Sequence, residues 1–108
     1  MRTDIMTEIN VTQLKVAYHK VLQQVLGHLE TVRRLDKAFT ILAIDRDYLI
    51  EHGEAYGQYI VYGPNGTYLV NTLERTCTCP DSEGGHLCKH RLALRMYAVA
   101  KLEETVEL

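Results

Sequence analysis

Residues 77–90 read Cys-Thr-Cys-Pro-Asp-Ser-Glu-Gly-Gly-His-Leu-Cys-Lys-His and contain all three cysteines of the 108-residue chain. The candidate metal ligands follow the spacing C-x-C-x8-C-x-H, with Cys77, Cys79, Cys88 and His90 as the four positions. Zinc binds thiolate and imidazole ligands in a tetrahedron, and three cysteines with one histidine are a common closed set in structural sites. The pattern therefore predicts one structural zinc ion.

The short spacing within each ligand pair restricts the backbone around the site. Side chains at positions i and i+2 lie on opposite faces of a strand and about 200° apart on a helix. Cys77 and Cys79 can therefore converge only if the chain bends between them, and Pro80 is consistent with a chain that leaves a strand there. Cys88 is expected just before or at the start of the last helix, with His90 in its first turn.

Other interpretations of the cysteine cluster stay open. The residues could cluster by chance without a metal, although every cysteine of the chain falls in one short window. A Cys77–Cys79 disulfide would be strained because one residue separates the two. An iron–sulfur cluster can use three cysteines and a histidine, but the tight C-x-H spacing favours mononuclear zinc. His86 is a spare ligand candidate or a solvated loop histidine.

The N-terminal part of the chain has a helical pattern. Asn10 resembles a helix N-cap, with Gln13 three positions on. Residues 11–43 contain no proline and one glycine, Gly27. A straight helix of that length would extend roughly 50 Å. It therefore either breaks near Gly27-His28 or pairs with a partner chain; we favour a break, with the apolar stripe still available for dimerisation. The stripe follows a heptad register: Val11, Leu14, Tyr18, Val21, Val25, Val32, Leu35, Phe39 and Leu42.

The pattern becomes β-like after residue 46. The strand-prone runs are 48–50, 59–62, 68–70 and 75–77. A Gly-Pro-Asn-Gly turn at 63–66 predicts an antiparallel hairpin. The segment at 81–85 is expected to be a flexible loop, and residues 88–102 are expected to form a helix that is apolar nearly all round and so covered on several sides.

These elements predict an α+β fold: N-terminal helices, a small antiparallel sheet and a zinc-bridged C-terminal helix. We expect residues 1–9 to be disordered, 10–44 to be a helical extension, 45–102 to form the zinc finger region, and 103–108 to be an acidic tail. The length allows one domain with one modest core.

Composition limits the classes of function. The net charge is −2 and the isoelectric point is about 6.2, so no overall positive field attracts nucleic acid. No apolar run approaches the length of a membrane span, and the N-terminus lacks the apolar run of a secretory signal. We therefore expect a cytoplasmic protein without a membrane or small-molecule partner.

The run Cys-Thr-Cys-Pro-Asp at 77–81, followed by Cys-Lys-His at 88–90 and Ala93, resembles a SWIM-type zinc finger. The resemblance covers roughly residues 57–95. It implies a β-hairpin that leads into a helix, with zinc bridging the two, and a role in binding DNA or protein. The helical N-terminal extension carries no motif that indicates a function.

The sequence carries no phosphate loop, nucleophile elbow or dinucleotide fingerprint, and we expect no enzymatic activity. The first hypothesis is a protein-interaction adaptor or accessory subunit, which associates with a partner or a second copy through its apolar helices. The alternative is a nucleic-acid-binding accessory factor that contacts DNA or RNA phosphates through Lys89, Arg91 and Arg95, with Arg75 on the strand side.

Five tyrosines precede the cysteines, and they are either stacking platforms for single strands or half-buried structural residues: Tyr48, Tyr56, Tyr59, Tyr62 and Tyr68.

Overall fold

A computed structural model describes residues 10–83 and 87–102 of the chain. The expectations for residues 1–9, for His86 and for the acidic tail at 103–108 fall outside the described residues. The elements are α1 (Val11–Val25), α2 (Leu29–Phe39) with a π-helical extension (Thr40–Ile44), β1 (Leu49–His52), β2 (Gln58–Gly63), β3 (Gly66–Asn71), β4 (Thr76–Cys77), α3 (Pro80–Glu83) and α4 (Lys89–Leu102). The α+β fold class is confirmed.

The N-terminal helical stretch breaks where the sequence indicated. Asn10 caps α1 through a reciprocal capping box, in which its side chain accepts from the Gln13 amide and the Gln13 side chain accepts from the Asn10 amide. The helix ends before Gly27, and α2 begins one residue after His28. A straight helix of roughly 50 Å would exceed the longest dimension of the molecule, 37 Å.

The strands form one antiparallel sheet in the order β1-β2-β3-β4. The predicted hairpin is present: Gly63 pairs with Gly66, and Pro64 and Asn65 form the turn. Val70 of β3 lies opposite Cys77, which sets the first metal-ligand candidate on the inner face of the sheet. The register of the sheet therefore positions one side of the site.

Helix α4 connects the two layers of the molecule. It contacts α1 and α2 along its length, and it also contacts β3 and β4. Its central residues, among them Leu92 and Met96, are fully buried. The expectation that this apolar helix is covered on several sides is confirmed.

The heptad stripe lies inside this core and not on an exposed surface. Leu14, Val21 and Leu35 have no exposed surface, and Tyr18 and Phe39 pack partly buried against the same core. The stripe is buried because α1 and α2 both pack on α4 of the same chain. The surface that we expected to be available for dimerisation is therefore already covered within the molecule.

One local expectation was wrong. Residues 81–85 are predicted to be a loop, but Pro80–Glu83 forms one helical turn, α3, and residues 84–85 lie outside the described residues. Proline is favoured at the first position of a helix because its fixed φ suits that position and its missing N–H loses no bond there. Within the described residues, no helix is long and apolar enough to cross a membrane.

Candidate metal centre

The ligand candidates Cys77, Cys79, Cys88 and His90 converge between the sheet and the helical layer. Their ligand atoms all lie within 4.8 Å of one another, and all four side chains are buried. Sγ of Cys77 lies 3.9 Å from Nδ1 of His90. Around a tetrahedral zinc ion with Zn–S near 2.3 Å and Zn–N near 2.0 Å, ligand atoms lie roughly 3.5–3.8 Å apart. The cluster therefore fits one zinc ion after a small contraction.

Two of the cysteines lie immediately before the first residue of a helix. Cys79 precedes α3, and its sulfur accepts a hydrogen bond from the Ser82 amide at 3.4 Å. Cys88 precedes α4, and its sulfur accepts from the Arg91 amide at 3.5 Å. Each sulfur thus occupies the place of an N-cap oxygen and satisfies an amide that has no partner within its helix. Amide donors and the positive helix end both stabilise a thiolate over a thiol.

The three cysteines are free thiols, and all three are buried. The pKa of Cys88 falls to about 3, because Cys77 donates a hydrogen bond to it and His90 and the Arg91 amide assist, against the opposing effect of burial. The pKa of Cys77 rises, because its proton is held by Cys88 and because burial disfavours its charge. Cys88 is therefore the sulfur of this pair that most readily becomes the thiolate that a metal needs.

Two tyrosines enclose the His90 ring. The ring centroid of Tyr68 lies 4.1 Å from that of His90, and Tyr48 lies 5.8 Å away on a tilted plane. Tyr48 itself packs against Gly63, where an added Cβ would come within 2.8 Å of its ring. These contacts hold the imidazole in one orientation.

The Tyr48 hydroxyl lies close enough to the cluster to be affected by the charge of its cysteines. It is buried and has no hydrogen-bond partner among residues 10–83 and 87–102. Burial raises the pKa of Tyr48, and the neighbouring cysteine charges, first Cys88, raise it further. A buried donor without an acceptor is unfavourable. The cysteines act on this hydroxyl through their charge, and none of them is its hydrogen-bond partner.

An ion pair connects the site to the N-terminal helices. Arg34 of α2 donates from Nε to Asp81 at 2.7 Å and from Nη2 at 3.0 Å. Asp81 lies in α3, two residues after Cys79, so the pair fixes the segment between the ligands to the helical layer. The hydrogen bond to Asp81 raises the pKa of Arg34 above its ordinary value.

The basic residues beside the ligands divide into two groups. Arg75, Arg91 and Arg95 line one cavity of about 620 Å³, whereas Lys89 does not line it. Arg91 and Arg95 are four residues apart on α4 and share a face, while Lys89 lies about 200° around the helix from Arg91. The structure thus brings together three of the four basic residues that the sequence singled out.

Two features of the basic group could not be found from the sequence. Asp81 pairs with Arg34 and does not line the cavity. Arg75 adopts a left-handed backbone conformation, with φ of 61°, in the turn between β3 and β4. Non-glycine residues seldom adopt this conformation. The local pattern does not predict the pairing of Asp81, because its partner Arg34 lies 47 residues away in the chain.

The comparisons with known proteins agree with the geometry. Residues 59–94 match the family model of the SWIM zinc finger, and this range includes all four ligand candidates. Searches of curated proteins and of solved structures gave no match. SWIM zinc fingers are binding modules and not a catalytic family. The matched segment and the buried Cys3His cluster together support a SWIM-type zinc finger at residues 59–94, with one structural zinc ion.

Proposed function

We propose that the protein is a non-catalytic zinc-binding module that binds nucleic acid, with Cys77, Cys79, Cys88 and His90 as the four zinc ligands. The observation that carries the proposal is the group of arginines around the cavity beside the finger. Zinc fixes the sheet relative to the start of α4, and these two elements supply the arginines. The metal therefore builds the binding surface without taking part in chemistry.

The arginines come from separate elements and repel one another. Arg75 precedes β4, and Arg91 and Arg95 lie on α4. The pKa of Arg95 falls below its ordinary value, because partial burial and repulsion from Arg91 and Arg75 disfavour its charged form. Its guanidinium retains exposed surface, and Nη1 donates to Gln24 at 3.2 Å. Like charges held together in this way favour an anionic ligand, such as a phosphate backbone.

The Lys, Arg, Asp and Glu residues of the described cavity lining are all basic. No aspartate or glutamate is among the described residues that line the cavity. The ion pairs found within residues 10–83 and 87–102 are Arg33–Glu30 and Arg34–Asp81, both on the α2 side. The net charge of −2 is therefore compatible with a local cationic surface, because the described acidic residues lie outside this lining.

Catalysis at the metal is not expected. With three thiolates and one imidazole, the tetrahedral shell of the zinc ion is complete. Metal-dependent hydrolysis requires a position for water on the metal. A site that holds its ion in a buried, closed set of protein ligands has the character of a structural zinc site.

The proposal is tested by titrating the zinc-loaded protein against fluorescently labelled oligonucleotides. The salt concentration is varied from about 50 to 200 mM, because phosphate binding releases counterions and gives a steep salt dependence. An Arg91→Ala, Arg95→Ala variant should bind more weakly and should reduce the salt slope by about 1 for each phosphate that is no longer neutralised. Fluorescence anisotropy gives the affinity at each salt concentration.

Lys89→Ala is the matched control, since it removes one positive charge from the same helix on another face. We expect its affinity and salt slope to stay close to those of the unchanged protein. An absence of binding at low salt, or an equal weakening in the Lys89 variant, would contradict the proposal. Zinc content is measured for each variant so that an unfolded finger is not mistaken for a missing arginine.

A protein partner is the second candidate, and one observation favours it. Leu26 and Leu29, on either side of the turn between α1 and α2, are 57% and 63% exposed. Exposed leucines beside each other are candidates for contact with another chain. A double Leu26→Ser, Leu29→Ser variant that loses a partner in cross-linking, while it retains its zinc and fold, would support this role.

A further inference from the structure

The cavity that the arginines line also has apolar and aromatic walls, which phosphate binding does not need. Its volume of about 620 Å³ lies in the range of pockets that hold small organic groups. Its wall towards the helical layer is apolar and comes from α4, including Leu94, Ala98 and Val99. A phosphate needs cations and amides, so an apolar wall indicates that the ligand also has an apolar or aromatic part.

The opposite wall is aromatic. Tyr59 of β2 and His52 of β1 are cross-strand neighbours on the inner face of the sheet, and their ring centroids lie 4.8 Å apart. Both residues line the cavity, and Tyr97 adds a third ring from the α4 side. The two rings contact each other, so they present one platform on which a planar ring can stack from the cavity side. Base–aromatic stacking tolerates any base.

We infer that the cavity accepts an unpaired base of a single-stranded nucleic acid, whose adjacent phosphates lie on Arg75, Arg91 and Arg95. This inference rests on the proposed function and specifies its ligand: single strands in preference to duplex. In a duplex each base is stacked and paired, so only a strand with splayed bases can insert one into a cavity beside its backbone.

The combination of a cationic rim, an apolar wall and aromatic rings favours a nucleotide over a peptide or an inorganic anion. An apolar peptide would leave the cations at the rim unpaired, whereas an inorganic anion would leave the apolar wall and the rings unused. An acidic peptide provides charge but no planar ring at a fixed distance from it. A nucleotide unit joins a negative charge and a planar ring within one covalent unit, which matches the cationic rim and the aromatic wall.

The test compares three labelled oligomers of equal length, about 12 nucleotides, which exceeds a single nucleotide unit and lies within the site sizes of single-strand binding folds. One is single-stranded DNA, one is the same sequence as a duplex, and one is an abasic strand that keeps the sugar-phosphate backbone. We expect the single strand to bind at least about fivefold more tightly than the abasic strand, which is the smaller end of the contribution from one stacked base. The duplex should bind like the abasic strand.

Two variants locate the effect in the cavity. Tyr59→Leu removes the π face but keeps an apolar side chain, and it should reduce the preference for bases. Tyr56→Leu is its control, because Tyr56 is 88% exposed and does not line this cavity. Ala98→Leu narrows the cavity from an exposed position of α4 and leaves every charge in place. It should abolish the preference for bases while the salt slope stays unchanged.

The outcomes separate this inference from the proposed function. Equal binding of all three oligomers, or a preference that neither Tyr59→Leu nor Ala98→Leu alters, would overturn the inference and leave phosphate binding standing. An absence of all binding by the unchanged protein would overturn both. Displacement of the single strand by a polyglutamate peptide of equal charge, as effectively as by unlabelled DNA, would show that charge alone is recognised and would also overturn the inference.

Discussion

Arg75 combines a strained backbone conformation with a position on the proposed binding surface. Its φ of 61° places a side chain in a conformation that costs an L-residue about 1–2 kcal/mol and that glycine adopts freely. Such strain persists only where the surrounding structure enforces it, and it is often found at functional positions. The turn carries an arginine there, and that arginine lines the cavity.

The Arg75→Gly variant is therefore expected to be more stable and to bind less well. The free energy of unfolding of the zinc-loaded protein should rise by about 1 kcal/mol, as measured by urea titration. The affinity for single-stranded DNA should fall, with a salt slope reduced by about 1.

Arg46→Gly is the control for the Arg75 variant. Arg46 has φ of 58° and does not line the cavity, so its replacement should leave DNA affinity unchanged. An Arg75 variant that binds as well as the unchanged protein would remove Arg75 from the binding surface.

At the scale of elements, the Arg34–Asp81 ion pair joins α2 to α3 and so attaches the segment between the zinc ligands to the helical layer. The Arg34–Asp81 pair is bidentate and partly buried, with side-chain exposures of 24% and 41%. A charge-assisted bidentate pair in this setting contributes on the order of 1 kcal/mol, more than an exposed pair along one helix.

Asp81→Asn retains the shape of the side chain and removes its charge. We expect zinc to transfer to a chromogenic chelator about fivefold faster, corresponding to a loss of roughly 1 kcal/mol. The difference should shrink in concentrated salt, because ions screen the pair.

Glu30→Gln provides the matched control on α2. Its pair with Arg33 spans 3.5 Å between side chains that are 67% and 72% exposed, so its loss should hardly change the transfer rate. Equal rates in the Asp81 variant and the unchanged protein would show that the pair does not hold the ligand segment.

At the scale of the whole molecule, zinc links two layers that are otherwise connected mainly through α4. The start of α4 carries Cys88 and His90, and the rest of the helix packs on α1 and α2. Structural zinc contributes roughly 10–16 kcal/mol of apparent binding free energy, and a domain of this size is stable by only about 5–15 kcal/mol. Zinc binding is therefore expected to determine whether the sheet remains packed on the helical layer.

Complete removal of zinc is expected to unfold the C-terminal half of the protein. The near-ultraviolet circular dichroism from Tyr48 and Tyr68, which enclose His90, should disappear, and the cooperative melting transition should be lost. Part of the helical signal should remain, because α1 and α2 share apolar contacts. Addition of zinc should restore both signals, and a Cys88→Ser variant should not respond to it. Unchanged cooperative melting in protein shown to be metal-free would refute a structural role.

The sequence by itself determined the features that depend on near neighbours. The spacing of the cysteines and histidine defined the zinc site, Gly63 and Gly66 defined the hairpin, and Asn10 with Gln13 defined the start of α1. These features follow from local geometry, because turn, cap and ligand preferences act over a few residues.

Only the tertiary structure decided which distant residues meet. The heptad stripe indicated an apolar face, but the packing of α1 and α2 on α4 decided that this chain covers that face itself. Arg75 joins Arg91 across the zinc-bridged layers, and Asp81 is drawn to Arg34 and away from them. Charge pairing and burial depend on distances in space, which residues far apart in the chain acquire only when the core and the metal bring their elements together.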